Sequence, residues 1–531
     1  MSTSPPVRAL EAGGGDTPDA RQLRTILIAV SVALMAVIAS VSGLNVAQTH
    51  MAVEFGASQS TVLWIINIYT LALAALLLPL GAVGDRLGRK PMLVAGLGVF
   101  GAASVVAGLA PSAEVMLAAR VAGGAGAAMI MPVTLAVITS TFPEEQRGKA
   151  IGVWTGVAGG GGILGMFLSA LLVDVADWRL QFVLPVVLVL VSLALALKSV
   201  PNSRETPAHR FDTAGALIST VAVTGLIFVL QEGPERGWTA PVTLTGLAVG
   251  IGAAVAFVAW ELHRRDASLL DLRLFRERGL AGGSITLLVV FGVQAGIAVV
   301  LFPYFQAVLG WSGLLSTVAL MPMAVMMMAT SGLAPALAAR VGSRPTMALG
   351  IALGGVGLAL MALFVSADGY LTILPGMLAM GIGMGLAMTP STEAITGSLP
   401  RGKQGVASAL NDVTREFGTA LGVALLGALL ANGYRSAVDA RLDGIPEGPA
   451  DSAREGVANA VEAAGSAGPH GPDLLHAAQQ SFVDGWQQAM WVGVAVMGVL
   501  FVYVAFRGPG GTAPADADAD EPEAAEALTG P

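Results

Sequence analysis

Apolar runs recur from one end of this chain to the other, many of them near the length of about 20 residues needed to cross the hydrocarbon core of a bilayer. Of its 531 residues 54% are apolar and 12% charged, against roughly a quarter charged in ordinary soluble domains. A string of soluble domains is thereby excluded, and the chain reads as a polytopic membrane protein. The alternation expected of a transmembrane β-barrel is missing, so helices are the remaining way to satisfy the backbone in lipid. The 68 glycines suit close helix packing, because small residues let backbones approach. There are no cysteines, which excludes disulfides, thiolate metal sites and cysteine nucleophiles.

Fourteen spans are predicted, at about 24–46, 62–82, 92–109, 115–139, 150–173, 180–198, 213–231, 242–260, 281–301, 314–337, 346–365, 371–394, 407–431 and 489–506. Prolines such as Pro79, Pro132 and Pro322 fall inside spans, which a bundle tolerates because neighbours re-satisfy the freed backbone groups. The first span follows about 20 polar residues and no small-residue cleavage site ends it, so it reads as retained rather than as a signal peptide. Basic residues mark the cytoplasmic side. With the N-terminus inside, 21 of the 28 Lys and Arg fall inside, five fall outside (Arg179, Arg236, Arg435, Arg441, Arg454) and two, Arg120 and Arg415, fall within spans. Both termini are therefore expected in the cytoplasm. Residues 432–487 read as a long outside loop with a short helix near 474–483, and residues 507–531 as a disordered acidic tail.

The segment GAVGDRLGRKPML, residues 81–93, has a counterpart in APALAARVGSRPTM, residues 334–347. Arg86 aligns with Arg340, Gly88 with Gly342 and Pro91 with Pro345. Two copies at equivalent places imply two structural halves, a common construction of secondary transporters. The offset is 254 residues, eight spans rather than six, so helices 7 and 8 read as an inserted pair.

The first of these segments resembles the loop signature of the major facilitator superfamily, with Gly81, Asp85, Arg86, Gly88, Arg89 and Lys90 at its characteristic places. MLAARVAGGAGAA, residues 116–128, is similar to the superfamily's helix-4 arginine motif through Arg120 and Gly124, with Gly123 in place of its usual glutamine. Residues 392–427, and WIINIYTLALAALLLPL at 64–80, look like the fourteen-helix drug:proton antiporter family in particular. The resemblance covers about residues 24–506. It implies an all-α membrane protein with a major facilitator fold and 14 transmembrane helices. Its expected parts are a cytoplasmic tail over 1–23, an N-terminal six-helix half over 24–198, an inserted pair with a basic linker over 199–280, and a C-terminal half over 281–506. The sequence departs from the family at two places. Ser40 stands where many members have an aspartate, five residues before Asn45-Val46-Ala47. In the helix-5 motif, Met166 replaces a proline and Ser169-Ala170 replace two glycines.

A charge at the centre of a membrane helix costs about 2.5–3.5 kcal/mol even on lenient scales, so each needs a reason. Arg120 either tunes a nearby carboxylate, as the resemblance implies, or bonds backbone carbonyls between helices. Asp412, Arg415 and Glu416 share one helix: Asp412 and Glu416 lie four residues apart on one face, and Arg415 can reach Asp412 at three. From a start near 407, Glu416 sits roughly 15 Å in, close to the midplane, at 1.5 Å per residue. A carboxylate at that depth is suited to exchanging protons, and these acids are the preferred coupling residues. The alternative is an ion pair that locks helices together. Glu393 is a weaker coupling candidate that could face cytoplasmic water. The resemblance assigns Asp85 a bond across the two halves at the inner gate, joined by Arg86 and Arg89. Candidate substrate-cavity groups are Trp64, Asn67, Tyr69, Trp154, Phe291 and Gln294, with Tyr304 and Phe305 nearer the outer edge; each could instead be packing or an interfacial belt.

The five histidines (His50, His209, His263, His470, His476) have no metal-ligand spacing, and the glycine-rich stretches lack the Gly-Lys-Ser/Thr of a P-loop. No metal, nucleotide or other cofactor is expected. Residues 261–279 read as a basic amphipathic linker lying on the anionic inner leaflet. The expected protein is a monomeric proton-driven exporter of lipophilic small molecules in a bacterial plasma membrane, with no role in nucleic-acid binding or catalysis. The competing expectation is a metabolite symporter or facilitator of the same fold, which Ser40 and the altered helix-5 motif favour.

Overall fold

The computed structural model describes residues 19–44, 48–175, 177–203, 211–264, 267–366 and 369–509. Most of both tails and the Asn45–Ala47 segment lie outside this set. Seventeen α-helices and no strands are present among the described residues. The first bundle holds α1 (Ala20–Gly43), a short α2 (Gln48–Phe55), α3 (Gln59–Leu87), α4 (Arg89–Gly108), α5 (Ala113–Thr141), α6 (Glu144–Val175) and α7 (Val183–Ser199). The pair α8 (Thr213–Arg236) and α9 (Pro241–Arg264) follows. The second bundle holds α10 (Arg278–Pro303), α11 (Gly313–Val341), α12 (Ser343–Phe364), α13 (Leu374–Gly397), α14 (Gln404–Val438), the short α15 (Glu447–Glu455) and α16 (Val457–Ala464), and α17 (Gly471–Arg507).

Polar side chains start several of these helices by accepting from amides that have no intrahelical partner. Asp19 does so for α1, Ser58 for α3, Ser112 for α5 and Ser312 for α11. The repeat seen in the sequence is also a repeat of backbone shape. Gly88, between α3 and α4, has φ 109° and ψ 141°; Gly342, between α11 and α12, has φ 95° and ψ 154°. Side chains rarely tolerate such a φ, so glycine is required at both turns.

Among the described residues thirteen helices are long and apolar enough to cross a membrane, one fewer than expected. The one that falls short is α13, whose glycines, threonines and serines dilute its hydropathy while most of its length is buried between neighbours. Helices also overrun the apolar windows from which they were predicted. The largest difference concerns 432–487, expected as a loop. α14 continues to Val438 and α17 begins at Gly471, so much of this segment is helical. The polar extensions hold because they pack on each other. Gly433 lies against the Gly485 backbone, the Tyr434 hydroxyl donates to the Ala453 carbonyl at 2.7 Å, and Arg441 pairs with Asp484 at 2.8 Å.

The halves meet along two crossings. On one, Gly81 of α3 lies against Gly405 of α14; a Cβ on Gly81 would stand 2.6 Å from the Gly405 carbonyl oxygen. On the other, Gly152 and Gly160 of α6 receive the Ser331 and Met328 region of α11. Further along α6, Gly161 and Gly165 turn instead to Met35 and Ala39 of α1, within the first bundle. The halves are thus pressed together at the end carrying the Gly88 and Gly342 turns. The inserted helix α8 packs on both α3 and α14. Trp64 of α3 meets Phe228 of α8 with ring centroids 5.9 Å apart, and Gln231 donates to Thr70 Oγ1 at 3.3 Å. Its partner α9 packs on α8 through Gly225 and Gly250 and leaves most of its own surface outward.

Candidate functional site

Three buried polar clusters run from the motif end toward the middle. At the motif end, both carboxylate oxygens of Asp85 accept from the Gly405 amide, at 2.8 and 2.9 Å, and Oδ2 also accepts from the Val406 amide at 3.3 Å. These amides belong to the first turn of α14, where no helical carbonyl is available to them and the helix dipole favours an anion. Arg89 Nη2 donates to Asp85 Oδ1 at 3.3 Å. Arg89 is itself held by Ser203, whose carbonyl accepts its amide at 2.9 Å. Gly81 and Gly88 supply the close approach and the turn that bring Asp85 here. Arg86, expected in the same network, lies over the Phe211 ring at 5.4 Å. Lys90 donates to the Leu197 carbonyl at 2.8 Å.

Arg120 of α5 is 3% exposed. Its guanidinium donates to the Ile65 carbonyl at 3.2 Å and to the carbonyl and hydroxyl of Ser40 at 3.4 and 3.1 Å. It stands 4.1 Å over the Tyr69 ring. No carboxylate lies within ion-pair distance among the described residues, and Nη2 has no partner. Tyr69 is fully buried, donating to the Val37 carbonyl at 3.3 Å. It is a packing platform for the guanidinium rather than an open cavity wall.

The third cluster sits on α14. Counted from the helix start at Gln404, Glu416 is about 18 Å along, near mid-membrane, at 1.5 Å per residue. Arg415 Nη1 donates to Asp412 Oδ1 at 3.2 Å, and Asn411 donates to the same oxygen at 3.3 Å. Arg415 also crosses to the first half, donating to the Ala158 carbonyl of α6 at 3.4 Å. Its guanidinium lies 4.5 Å from the Phe291 ring and 5.6 Å from the Trp154 ring. Asp412 is fully buried and its Oδ2 has no hydrogen-bond partner. Glu416 is only partly buried and makes no hydrogen bond or ion pair among the described residues.

The structure brings Trp154, Phe291, Asp412, Arg415 and Gln294 to one region. Gln294 reaches across to the Gly159 carbonyl at 3.4 Å. It separates out Trp64, which faces the inserted helix, and Glu393, whose Oε1 lies against Gly148 of α6 toward the motif end and has no partner. Asn67 remains partly buried on α3. Tyr304 and Phe305 belong to a packed aromatic cluster with Trp311, Tyr370 and Trp486. Two contributors escaped the sequence reading. Asn411 is a neutral amide next to Asp412, and its type alone carries no signal of a role. Met327 touches Gln294 at 3.7 Å, and its signal was the five methionines among residues 321–328, soft side chains that adapt to irregular shapes.

Two helical bundles, crossing through glycines at one end and holding buried charge between them, define a multi-pass membrane transporter. The sequence model of the Major Facilitator Superfamily matches residues 28–423, and the chain belongs to that family. It is 31% identical over 487 residues to the multidrug efflux pump LfrA of Mycolicibacterium smegmatis, covering 91% of this chain and 94% of that one. It is 29% identical over 486 residues to the multidrug resistance protein Stp of Mycobacterium tuberculosis, covering 90% of each. Among solved structures, the proton:xylose symporter XylE shares the fold with a TM-score of 0.59 and 14% identity, over 91% of this chain and 95% of that one.

Proposed function

We propose that this protein exports lipophilic drugs or antibiotics across a bacterial plasma membrane by exchange for protons, with alternating access between the two halves. The observation that carries this reading is Glu416. It is a mid-membrane carboxylate with no ion-pair partner among the described residues, on the helix that joins the motif-end crossing to the centre. An acid so placed can hold a proton or interact with a substrate. Asp412 is tied to Arg415 but keeps one oxygen unpaired, and is the second coupling candidate. Trp154 and Phe291 supply aromatic surface around Arg415, suited to flat apolar molecules. The names of LfrA and Stp support drug transport. In this reading α13 is the fourteenth span, both termini are cytoplasmic, the Asp85 crossing closes the cytoplasmic end, and the monomer is the working unit.

The test is uptake and efflux of a dye and antibiotic panel in an efflux-deficient host, with and without a protonophore. Lower accumulation that the protonophore reverses is expected. Glu416→Gln should abolish pH-driven transport with normal membrane insertion, and Asp412→Asn should impair it. Full coupling in both variants overturns the coupling assignment.

Ser40 favours a second reading, a symporter or facilitator. Arg120 there meets a hydroxyl at 3.1 Å and no acid among the described residues, so its cation has no titratable partner there. Transport that follows the substrate gradient alone, unaffected by a protonophore, would select the facilitator; substrate uptake driven by an inward proton gradient would select the symporter.

A further inference from the structure

Two of the positions at which the sequence leaves the family pattern, Ser40 on α1 and Ser169 on α6, face one cavity. Gln181, in the turn Trp178–Phe182 before α7, is its third polar wall, and Leu44, Phe182 and Pro185 line the rest. The space open to the centre of a water-sized sphere is about 10 Å³, which is about the least that holds a single water. Gln181 is 4% exposed, yet neither its Nε2 nor its Oε1 has a hydrogen-bond partner. Ser169 is 2% exposed.

We propose that Ser40, Ser169 and Gln181 hold an ordered water, which extends the Arg120 network away from the membrane centre. The argument is one of donors and acceptors. A buried amide needs a partner that accepts from its nitrogen and donates to its oxygen, and water does both where a simple anion or cation does one. Arg120 has only N–H donors, so the Ser40 oxygen must accept from it at 3.1 Å. The Ser40 proton is then left to point elsewhere, and the cavity it lines is one place with room for an acceptor. A water accepting that proton polarises the hydroxyl and makes its oxygen a better acceptor for the guanidinium. Leaving both ends of the buried Gln181 amide unmatched costs more than immobilising one water. The hydrated hydroxyl thus supports a buried cation that has no carboxylate beside it among the described residues.

The test is hydroxyl-radical labelling of the purified full-length protein by X-ray pulses in ¹⁸O-water, read by mass spectrometry. A water within the cavity generates radicals beside Phe182, which is 5% exposed; Phe100, 0% exposed and packed in apolar surroundings, is the control. Phe182 should label roughly five-fold faster than Phe100, because bound water sits at its ring. Gln181→Leu should bring Phe182 down to the Phe100 rate. Should that variant fail to fold, Ser169→Ala, which only deletes a hydroxyl, should lower the rate in the same direction. Equal labelling of Phe182 and Phe100 in the unaltered protein, or a fast Phe182 rate that survives these substitutions, overturns the proposal.

Discussion

Asp85 and Gly405 stand 320 residues apart in the chain, yet both oxygens of the Asp85 carboxylate accept from the one Gly405 amide. The first half thereby grips the buried N-terminal turn of α14 in the second. A side chain on Gly405 would run into the Gly81 carbonyl and the Asp85 carboxylate, so the grip depends on glycine at both ends.

Asp85→Asn keeps the shape of the side chain but removes the charge and one acceptor. Charge-assisted bonds contribute about 2 kcal/mol each, and a loss of that size moves an equilibrium roughly 30-fold. The motif end should open more often. The chain has no cysteine of its own, so a single cysteine placed at Ala409, buried in this crossing, reports opening directly. Its maleimide labelling should rise at least several-fold when Asp85→Asn is introduced alongside it.

Gly81→Ala should act in the same direction on the same crossing, by steric clash instead of a lost charge. The new methyl would sit 2.6 Å from the Gly405 oxygen and 2.7 Å from the Ala409 Cβ, and overpacking of this kind costs about 1–3 kcal/mol. Membrane insertion should be normal and transport strongly reduced, with closure at this end impaired. Normal transport in this variant would show that the crossing need not close as tightly as it does here.

Arg415→Met leaves Asp412 buried without its cation. Breaking a buried pair from one side costs about 3–5 kcal/mol, while replacing both partners by apolar groups is often neutral. The single variant should melt at a clearly lower temperature in detergent. Asp412→Leu combined with Arg415→Met should recover most of that stability and none of the proton-driven transport. Recovery of both would make the pair purely structural.

Tyr69 separates two effects. Tyr69→Phe loses only a 3.3 Å hydrogen bond to Val37 and keeps the ring beneath Arg120, so stability should fall by no more than about 1 kcal/mol. Tyr69→Leu removes a cation–π contact that contributes about 2 kcal/mol when desolvated. Thermal melting of the two variants should therefore differ, and Arg120→Lys should resemble the leucine variant more than the phenylalanine one.

The membrane architecture was legible because lipid leaves the backbone few options, and because a glycine with positive φ is hard to replace: Gly88 and Gly342 mark the repeat in both sequence and shape. The Asp412–Arg415 contact was legible from helical spacing alone. Less was legible where tertiary packing chooses between equivalent residues. Trp64 and Trp154 look alike in sequence, and only the docking of α8 turns one toward Phe228 and leaves the other beneath Arg415. The helical extensions across 432–487 escaped notice because their Ala, Gly and Glu content carries little apolar signal, and their support comes from each other. Gln181 was invisible for a similar reason: one amide in a five-residue turn signals nothing until the walls around it are known.

The two pseudo-equivalent turns differ in one respect that matters for their mechanics. Asp85 precedes Arg86 in the first, whereas Ala339 precedes Arg340 in the second. Both turns have the same backbone, but only one carries a bolt. The α3–α14 side is fastened by charge, and the α6–α11 side rests on fitted surfaces, with Gly152 and Gly160 against Ser331 and Met328. Force applied evenly across this end would not part it evenly. Fitted surfaces resist gradually over a sliding distance, while a carboxylate seated on two amides holds until it lets go. Under the proposed alternating access such an end opens like a door latched along one edge, and Asp85 is the residue expected to time it.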